Sequence, residues 1–326
     1  MSTSAAIEVS NLGKVYDTVD AVKNLSLSVQ HGEIFGLLGP NGAGKSTTLR
    51  ILITTLNPTT GTATILGHDV VKEADTVRRL IGYVAQERAI DRFLTGREHL
   101  LLFAELYHLP KQEALSRIAS LLKLVNLEDD ADRVAKGYSG GMKRKLDIAC
   151  GLLPNPKILF LDEPTLGLDV QSRLNIWEHI RQLKQQGITI VITTNYLDEA
   201  DQLCDRIAII DRGEIRAIGS PKDLKASLGG DGVWLTLSDA TPEALDQLTT
   251  ALQSLPFVRA IRPRENGLDI RVDGPEKALP IIMETTNTVP GCRLDGIEYH
   301  RPRLDDVFVA HTGRSLKDEP PASTET

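Results

Sequence analysis

The sequence predicts an α/β fold, a mostly parallel sheet interrupted by a helical insert and followed by a small α+β domain. Three observations predict it. From Ile7 to about Leu228, short β-rich runs alternate with stretches of helical apolar spacing, as a parallel sheet with helical crossovers requires. Between Val84 and Ile158 the strand signal disappears and only helical spacing remains. Beyond a glycine-rich junction the order of runs becomes β-α-β-β-α-β.

In chain order, strands are expected at 26–29 and 33–38, the second leading into a glycine-rich turn at 39–47 and a helix at 47–56. A strand at 81–84 precedes the helical insert, about 90–155, with helices at 98–107, 112–124 and 140–153. The last of these carries Met142, Leu146, Ala149 and Leu153 on one stripe. Residues 158–161 are a continuous apolar run, as a strand buried on both faces should be, and strands at 189–193 and 207–211 complete the sheet. The junction Lys-Ala-Ser-Leu-Gly-Gly-Asp-Gly at 225–232 separates a first domain, 1–228, from a second, 229–314. There, strands at 233–237, 258–262, 268–272 and 293–299 and helices at 242–254 and 275–288 give the split βαβ plan of a ferredoxin-like fold, with Asn266-Gly267 as its hairpin turn. The tail, 315–326, is polar and proline-bearing and is expected to be disordered.

The turn after the second strand reads Gly39-Pro40-Asn41-Gly42-Ala43-Gly44-Lys45-Ser46-Thr47, which satisfies G-x-x-x-x-G-K-[ST]. Glycines let the chain turn tightly, so that successive N–H groups point at one phosphate chain. Lys45 places a charge beside the β- and γ-phosphates, Ser46 offers a hydroxyl to Mg²⁺, and the following helix adds its positive dipole end. This is the pattern of a nucleotide phosphate site.

Bulk properties narrow the remainder. The 326 residues allow two domains, and 41% hydrophobic with 25% charged residues is ordinary for a globular chain. A net charge of -7 argues against nucleic acid as a partner. No run of 18 apolar residues is present, and the N-terminus lacks the basic and apolar regions of a signal peptide. Cys150, Cys204 and Cys292 have no metal-ligand spacing and read as reduced, small hydrophobes. His31, His99 and His179 are isolated and read as surface or internally satisfied residues, and Lys143-Arg144-Lys145 as the solvated face of a helix.

A second constellation follows the helical insert. Ser139 is a good N-cap with Gly140 and Gly141 behind it, so bare N–H groups at a helix start can meet a γ-phosphate. Asp162 closes an apolar strand where a Mg²⁺ ligand is needed, and adjacent Glu163 suits the base that orients or activates the attacking water. Together these residues resemble the nucleotide-binding subunit of the ATP-binding cassette (ABC) transporter family, over about Ile7 to Leu228. The resemblance implies a P-loop ABC ATPase domain that binds ATP and Mg²⁺. It also implies a dimer, with itself or with a second such subunit, in which two ATPs are sandwiched head to tail.

Carried over by position, Tyr16 matches the aromatic that stacks on adenine, and Gly39 to Thr47 the phosphate loop. Gln86 matches the glutamine that touches Mg²⁺ and moves with the membrane partner, so the implied metal set is Ser46, Gln86 and Asp162. Ser139, Gly140 and Gly141 match the signature turn, with Met142 where many members have glutamine, and Asp169 the loop that crosses the dimer interface. Glu163 is the implied catalytic glutamate. One position departs: where the family has a histidine this chain has Asn195, which donates an amide hydrogen bond but carries no charge and relays no proton. Two readings follow: hydrolysis is slowed, giving a slow-turnover ATP-gated clamp, or asparagine suffices because positioning dominates phosphoryl transfer.

The runs Tyr-Ser-Gly-Gly-Met-Lys-Arg-Lys-Leu-Asp at 138–147 and Leu-Thr-Gly-Arg-Glu at 94–98, with Leu-Asp-Asp-Val-Phe at 304–308, resemble daunorubicin-resistance-type exporter ATPases up to about Arg314. That resemblance implies a separate membrane permease as partner, a place on the cytoplasmic face of the membrane, and export. A soluble ATPase without a permease is the alternative. For the second domain a regulatory or dimer-stabilising role and a packing role stand equal.

Overall fold

The computed structural model describes residues 5–87, 89–238, 240–264 and 266–316. Residues 317–326, most of the stretch expected to be disordered, lie outside them. The chain opens with two long antiparallel strands, β1 (Ile7–Tyr16) and β2 (Val19–Val29). Next come β3 (Ile34–Leu38), α1 (Lys45–Leu52), β4 (Thr60–Ile65), β5 (His68–Asp69), α2 (Ala74–Leu80) and β6 (Ile81–Val84). Three helices follow with no strand among the described residues: α3 (Gly96–Leu106), α4 (Lys111–Leu124) and α5 (Gly140–Leu152). Then come β7 (Ile158–Asp162), α6 (Val170–Gln185), β8 (Thr189–Thr194), α7 (Leu197–Leu203), β9 (Arg206–Asp211), β10 (Glu214–Gly219) and α8 (Pro221–Ala226).

Two sheets form the first unit. The six-stranded sheet has order β10-β9-β3-β8-β7-β6, parallel except for β10, and the smaller antiparallel sheet has order β2-β1-β4-β5. Strands β3, β7 and β8 are buried at every residue, which explains the unbroken apolar run at 158–161. Their C-terminal ends lie side by side: Leu38 pairs with Thr194, and Asp162 with Thr193. In open α/β sheets, ligands bind outside these ends.

The helical insert has its own core, in which Leu100, Ile118, Leu122, Leu146 and Leu153 meet. Helix α3 starts with a capping box, in which Thr95 Oγ1 accepts from Glu98 N (3.1 Å) and Glu98 Oε2 from Thr95 N (2.7 Å).

Contacts divide the chain between Pro221 and Lys222, ahead of the glycine-rich junction. The reason is local: Lys222, Lys225 and Ala226 of α8 line one hollow with Gly230, Asp273 and Arg301 of the second unit. This unit comprises β11 (Asp231–Ser238), α9 (Pro242–Gln253), β12 (Val258–Arg264), β13 (Gly267–Val272), α10 (Pro275–Thr288), β14 (Arg293–His300) and α11 (Leu304–Thr312). Its sheet order, β12-β13-β11-β14, is antiparallel throughout, the arrangement of a ferredoxin-like fold. Val233, Leu235, Ile270, Leu248 and Ile282 make its core.

Candidate nucleotide site

A cleft of about 250 Å³ opens at the C-terminal ends of the parallel strands, lined by residues 41–47 with Ala21, Gln86 and Glu163. Gly39 and Pro40 are buried at its root. Gly44 caps α1 at φ 104°, a left-handed conformation that side chains rarely adopt, and a Cβ there would lie 2.5 Å from Ala21 O. The helix after the turn is short: it begins at Lys45 and ends at Leu52, because Thr54 turns to φ 66°.

Lys45 is 4% exposed. Its ammonium donates to Gly39 O (2.7 Å) and Pro40 O (2.9 Å) and lies 3.9 Å from Glu163 Oε1. Gln86 donates from Nε2 to Glu163 Oε2 (3.2 Å). Thus Lys45 and Gln86, far apart in sequence, converge on the Glu163 carboxylate. Burial pushes the Glu163 carboxyl above the ordinary carboxylate range, Lys45 pulls it back, and Asp162 and Glu199 push it further up. A raised carboxylate at a cleft is the poise a proton acceptor needs.

The strand end sets this geometry. Glu163 leaves β7 at φ 44°, and its N–H donates to both Thr193 O (3.1 Å) and Thr193 Oγ1 (3.1 Å). The Thr193 hydroxyl in turn donates to Asp162 Oδ1. One threonine therefore holds both acids, and Gly39 N donates to the next carbonyl, Thr194 O (3.3 Å). Sequence reasoning missed Thr193; the signal was a hydroxyl ending the strand expected beside the acids.

Only some of the other predicted residues reach the cleft. Ser46 and Thr47 line the cleft, while Asp162 is buried behind it. Ser139 caps α5, its Oγ accepting from Met142 N (3.2 Å), and stands exposed outside the cleft with Gly140 and Gly141 after it. Asp169 caps α6, accepting from Ser172 N (2.9 Å) and Ser172 Oγ (2.7 Å). Tyr16 ends β1, 39% exposed, with the Lys14 ammonium 5.3 Å from its ring centroid, and is not among the cleft's lining residues. Asn195 follows β8, and its Oδ1 is buried with no hydrogen-bond partner among the described residues.

One expectation fails. Arg144 is not part of a solvated face: it is 2% exposed and donates to three main-chain carbonyls. Helix α5 buries two faces, one on the insert's core through Leu146 and Ala149, and one carrying Gly141, Arg144, Ile148 and Gly151. That second stripe, at spacings of three and four, was the available signal. His99 is internally satisfied: Nε2 accepts from Asp91 N (2.7 Å) and Nδ1 meets Thr95 O (3.0 Å).

Residues 22–166 match the family model of the ABC transporter. The chain is 44% identical over 314 residues to a daunorubicin/doxorubicin resistance ATP-binding protein of Streptomyces peucetius, covering 96% of this chain and 94% of the relative. It is 38% identical over 315 residues to a linearmycin resistance ATP-binding protein of Bacillus subtilis (strain 168), covering 96% and 100%. A dimeric ATP-binding cassette solved in a post-hydrolysis state with ADP and Pi superposes with a TM-score of 0.59 at 29% identity, over 66% of this chain and 98% of that one.

Proposed function

From the premise that this chain belongs to the ABC transporter family, as its ATP-binding and ATP-hydrolysing subunit, we propose how its residues act and with what. Cassettes of this family work as dimers. The chain powers export through a separate membrane permease and sits at the cytoplasmic face of the membrane by that attachment; among the described residues no helix is long and apolar enough to cross a bilayer. The names of its relatives, resistance proteins for daunorubicin and linearmycin, favour a small toxic molecule as cargo.

The single observation that carries the mechanism is the meeting of Lys45, Gln86 and Glu163 in the cleft above α1. The turn at 39–47 cradles the phosphates with main-chain N–H groups and the α1 dipole, and Lys45 exchanges its carbonyl partners for phosphate oxygens. Glu163 accepts the proton of the attacking water, and Gln86 holds its second oxygen. Asn195 donates its amide toward the γ-phosphate, and Tyr16 stacks on adenine. Ser139, exposed outside the cleft, and the Gly140-Gly141 main chain behind it meet the nucleotide of a second subunit, while Asp169 lies at the shared interface.

Ser46, Asp162 and the amide oxygen of Gln86 make an all-oxygen donor set that suits Mg²⁺, and its amide nitrogen is already engaged by Glu163. These residues would hold Mg²⁺, which would supply positive charge to neutralise the phosphates.

The permease reading draws on the helical insert, where Phe93 (68% exposed) and Leu106 (64%) stand in water with Leu102 and Tyr107. The test is phosphate release by the purified chain with Mg-ATP, beside Glu163→Gln, with and without a co-expressed multi-span permease. Expected are a rate reduced at least a hundredfold by Glu163→Gln, an ATP-dependent dimer of that variant, and co-purification that Phe93→Asp weakens. An undiminished rate in Glu163→Gln would refute the assignment of the base.

A further inference from the structure

We infer that Arg144 is a positioning residue that couples the serine-capped end of α5 to the acid and the amide of the cleft. The inference rests on the reading above, in which Glu163 and Gln86 act on the bound nucleotide.

Each nitrogen of the guanidinium donates to a different main-chain carbonyl. Nε bonds Pro164 O (2.8 Å), Nη2 bonds Asp162 O (2.8 Å) and Nη1 bonds Ala85 O (2.6 Å). Two of those carbonyls belong to the residues before and after Glu163 and the third to the residue before Gln86, so one planar group holds the peptide that leads into the acid, the peptide that follows Pro164 and the peptide that leads into the amide. Bonds to a buried charged group are stronger than neutral ones, and the fork geometry of arginine fixes three directions at once. Asp147 Oδ2, 3.9 Å from Nη1, adds an opposite charge.

The other end of the linkage is the helix itself. Ser139 precedes Arg144 by five residues, about 7 Å of helical rise, too short a span to bend appreciably. The start of α5 lies hard against the start of α6: a Cβ on Gly141 would come 2.8 Å from Ser172 Oγ, and Ser172 is bonded to Asp169. Pressure on the exposed Ser139 and the turn behind it is therefore passed along a rigid rod to the Arg144 fork. In a head-to-tail dimer that turn touches the second subunit's nucleotide. Arg144 thus reports the occupancy of one ATP site to the acid of the other, making it the physical basis for coupled turnover of the two sites.

The test is a double-mutant cycle in the full chain between Arg144→Lys and Ser139→Ala. Lysine keeps the charge but cannot reach three divergent carbonyls. Melting temperature, ATP Kd, KM and kcat are measured for each variant. Expected for Arg144→Lys are a Kd and KM within twofold of the parent and a kcat reduced at least tenfold. Ser139→Ala is expected to slow the parent at least tenfold and to slow Arg144→Lys at least fivefold less, because the path is already cut. A kcat within twofold of the parent, a fall in kcat matched by KM and Kd, or two effects that simply multiply would overturn the inference. If Arg144→Lys does not fold, the same cycle on Arg144→Gln, which keeps an amide donor, decides by the same criteria. Failure of the underlying reading looks different: Glu163→Gln would then leave the parent's own rate intact.

Discussion

Thr193→Val removes one hydroxyl and almost no volume, which isolates what the strand end does for the two acids. The side chain is fully buried, and its Oγ1 donates to Asp162 Oδ1 while accepting from Glu163 N. Glu163 N keeps Thr193 O at 3.1 Å, so the substitution creates no orphan there. Asp162, 6% exposed, loses a charge-assisted hydrogen bond, which is worth about 1.5–3 kcal/mol. At about 2–4 °C per kcal/mol for a unit of this size, a loss of about 2 kcal/mol lowers the melting temperature by about 4–8 °C. Thr193→Ser keeps the hydroxyl and loses one methyl, about 0.8 kcal/mol, so it melts between the parent and the valine variant. Half of the valine loss carried into the transition state amounts to about 1 kcal/mol, or about a fivefold fall in kcat. Thermal melts by circular dichroism and phosphate release measure both quantities. A valine variant with the parent's melting temperature and rate, or a serine variant as impaired as valine, would refute the reasoning.

Two further outcomes rest on groups away from the cleft. Burial raises the Cys150 and Cys204 thiols strongly, and both side chains are enclosed, whereas Cys292 is partly exposed with a smaller rise. A colorimetric thiol titration at pH 8 of the native protein should count one slow cysteine, and three after denaturation; rapid native labelling of more than one is the contrary result. Desolvation lowers the His179 imidazole below its ordinary 6.5. The folded state then binds a proton less tightly than the unfolded chain, so stability is full above about pH 6.5 and declines as pH falls from there. His179→Gln should flatten the decline in melting temperature between pH 6.5 and 5.5, and an unchanged slope would count against that origin.

Much of the cleft was legible because its chemistry is local in sequence. The turn from Gly39 to Thr47 is contiguous, and Asp162-Glu163 end a run whose burial is uniform. What escaped was whatever depends on a neighbour distant along the chain. Arg144 looked solvated because two lysines flank it, and only the three carbonyls brought in by β7 and the Ala85 peptide explain its burial. The antiparallel β1–β2 pair was seen only at 26–29, since register shifts between Val9 and Leu12 and again near Lys14 break the twofold alternation that reveals strands. Helix α6 was passed over because Ile176, Trp177, Ile180 and Leu183 are few among its sixteen residues. The four strands and two of the helices of the ferredoxin-like unit were readable, each strand being bounded by glycine, proline or a capping threonine, whereas α11 (Leu304–Thr312) was not foreseen as a helix.

The neighbouring carbonyls of Thr193 and Thr194 receive the N–H groups of Glu163 and Gly39, so a single strand acts as the ruler for the active centre. The distance between cradle and acid is then a lattice constant of the sheet, indifferent to the length or composition of the connecting loops. Insertions in those loops would leave the spacing untouched, whereas deleting one residue within β8 would swap the inward and outward faces and misplace both partners at once. Change in such a protein has wide latitude around the strand and almost none inside it.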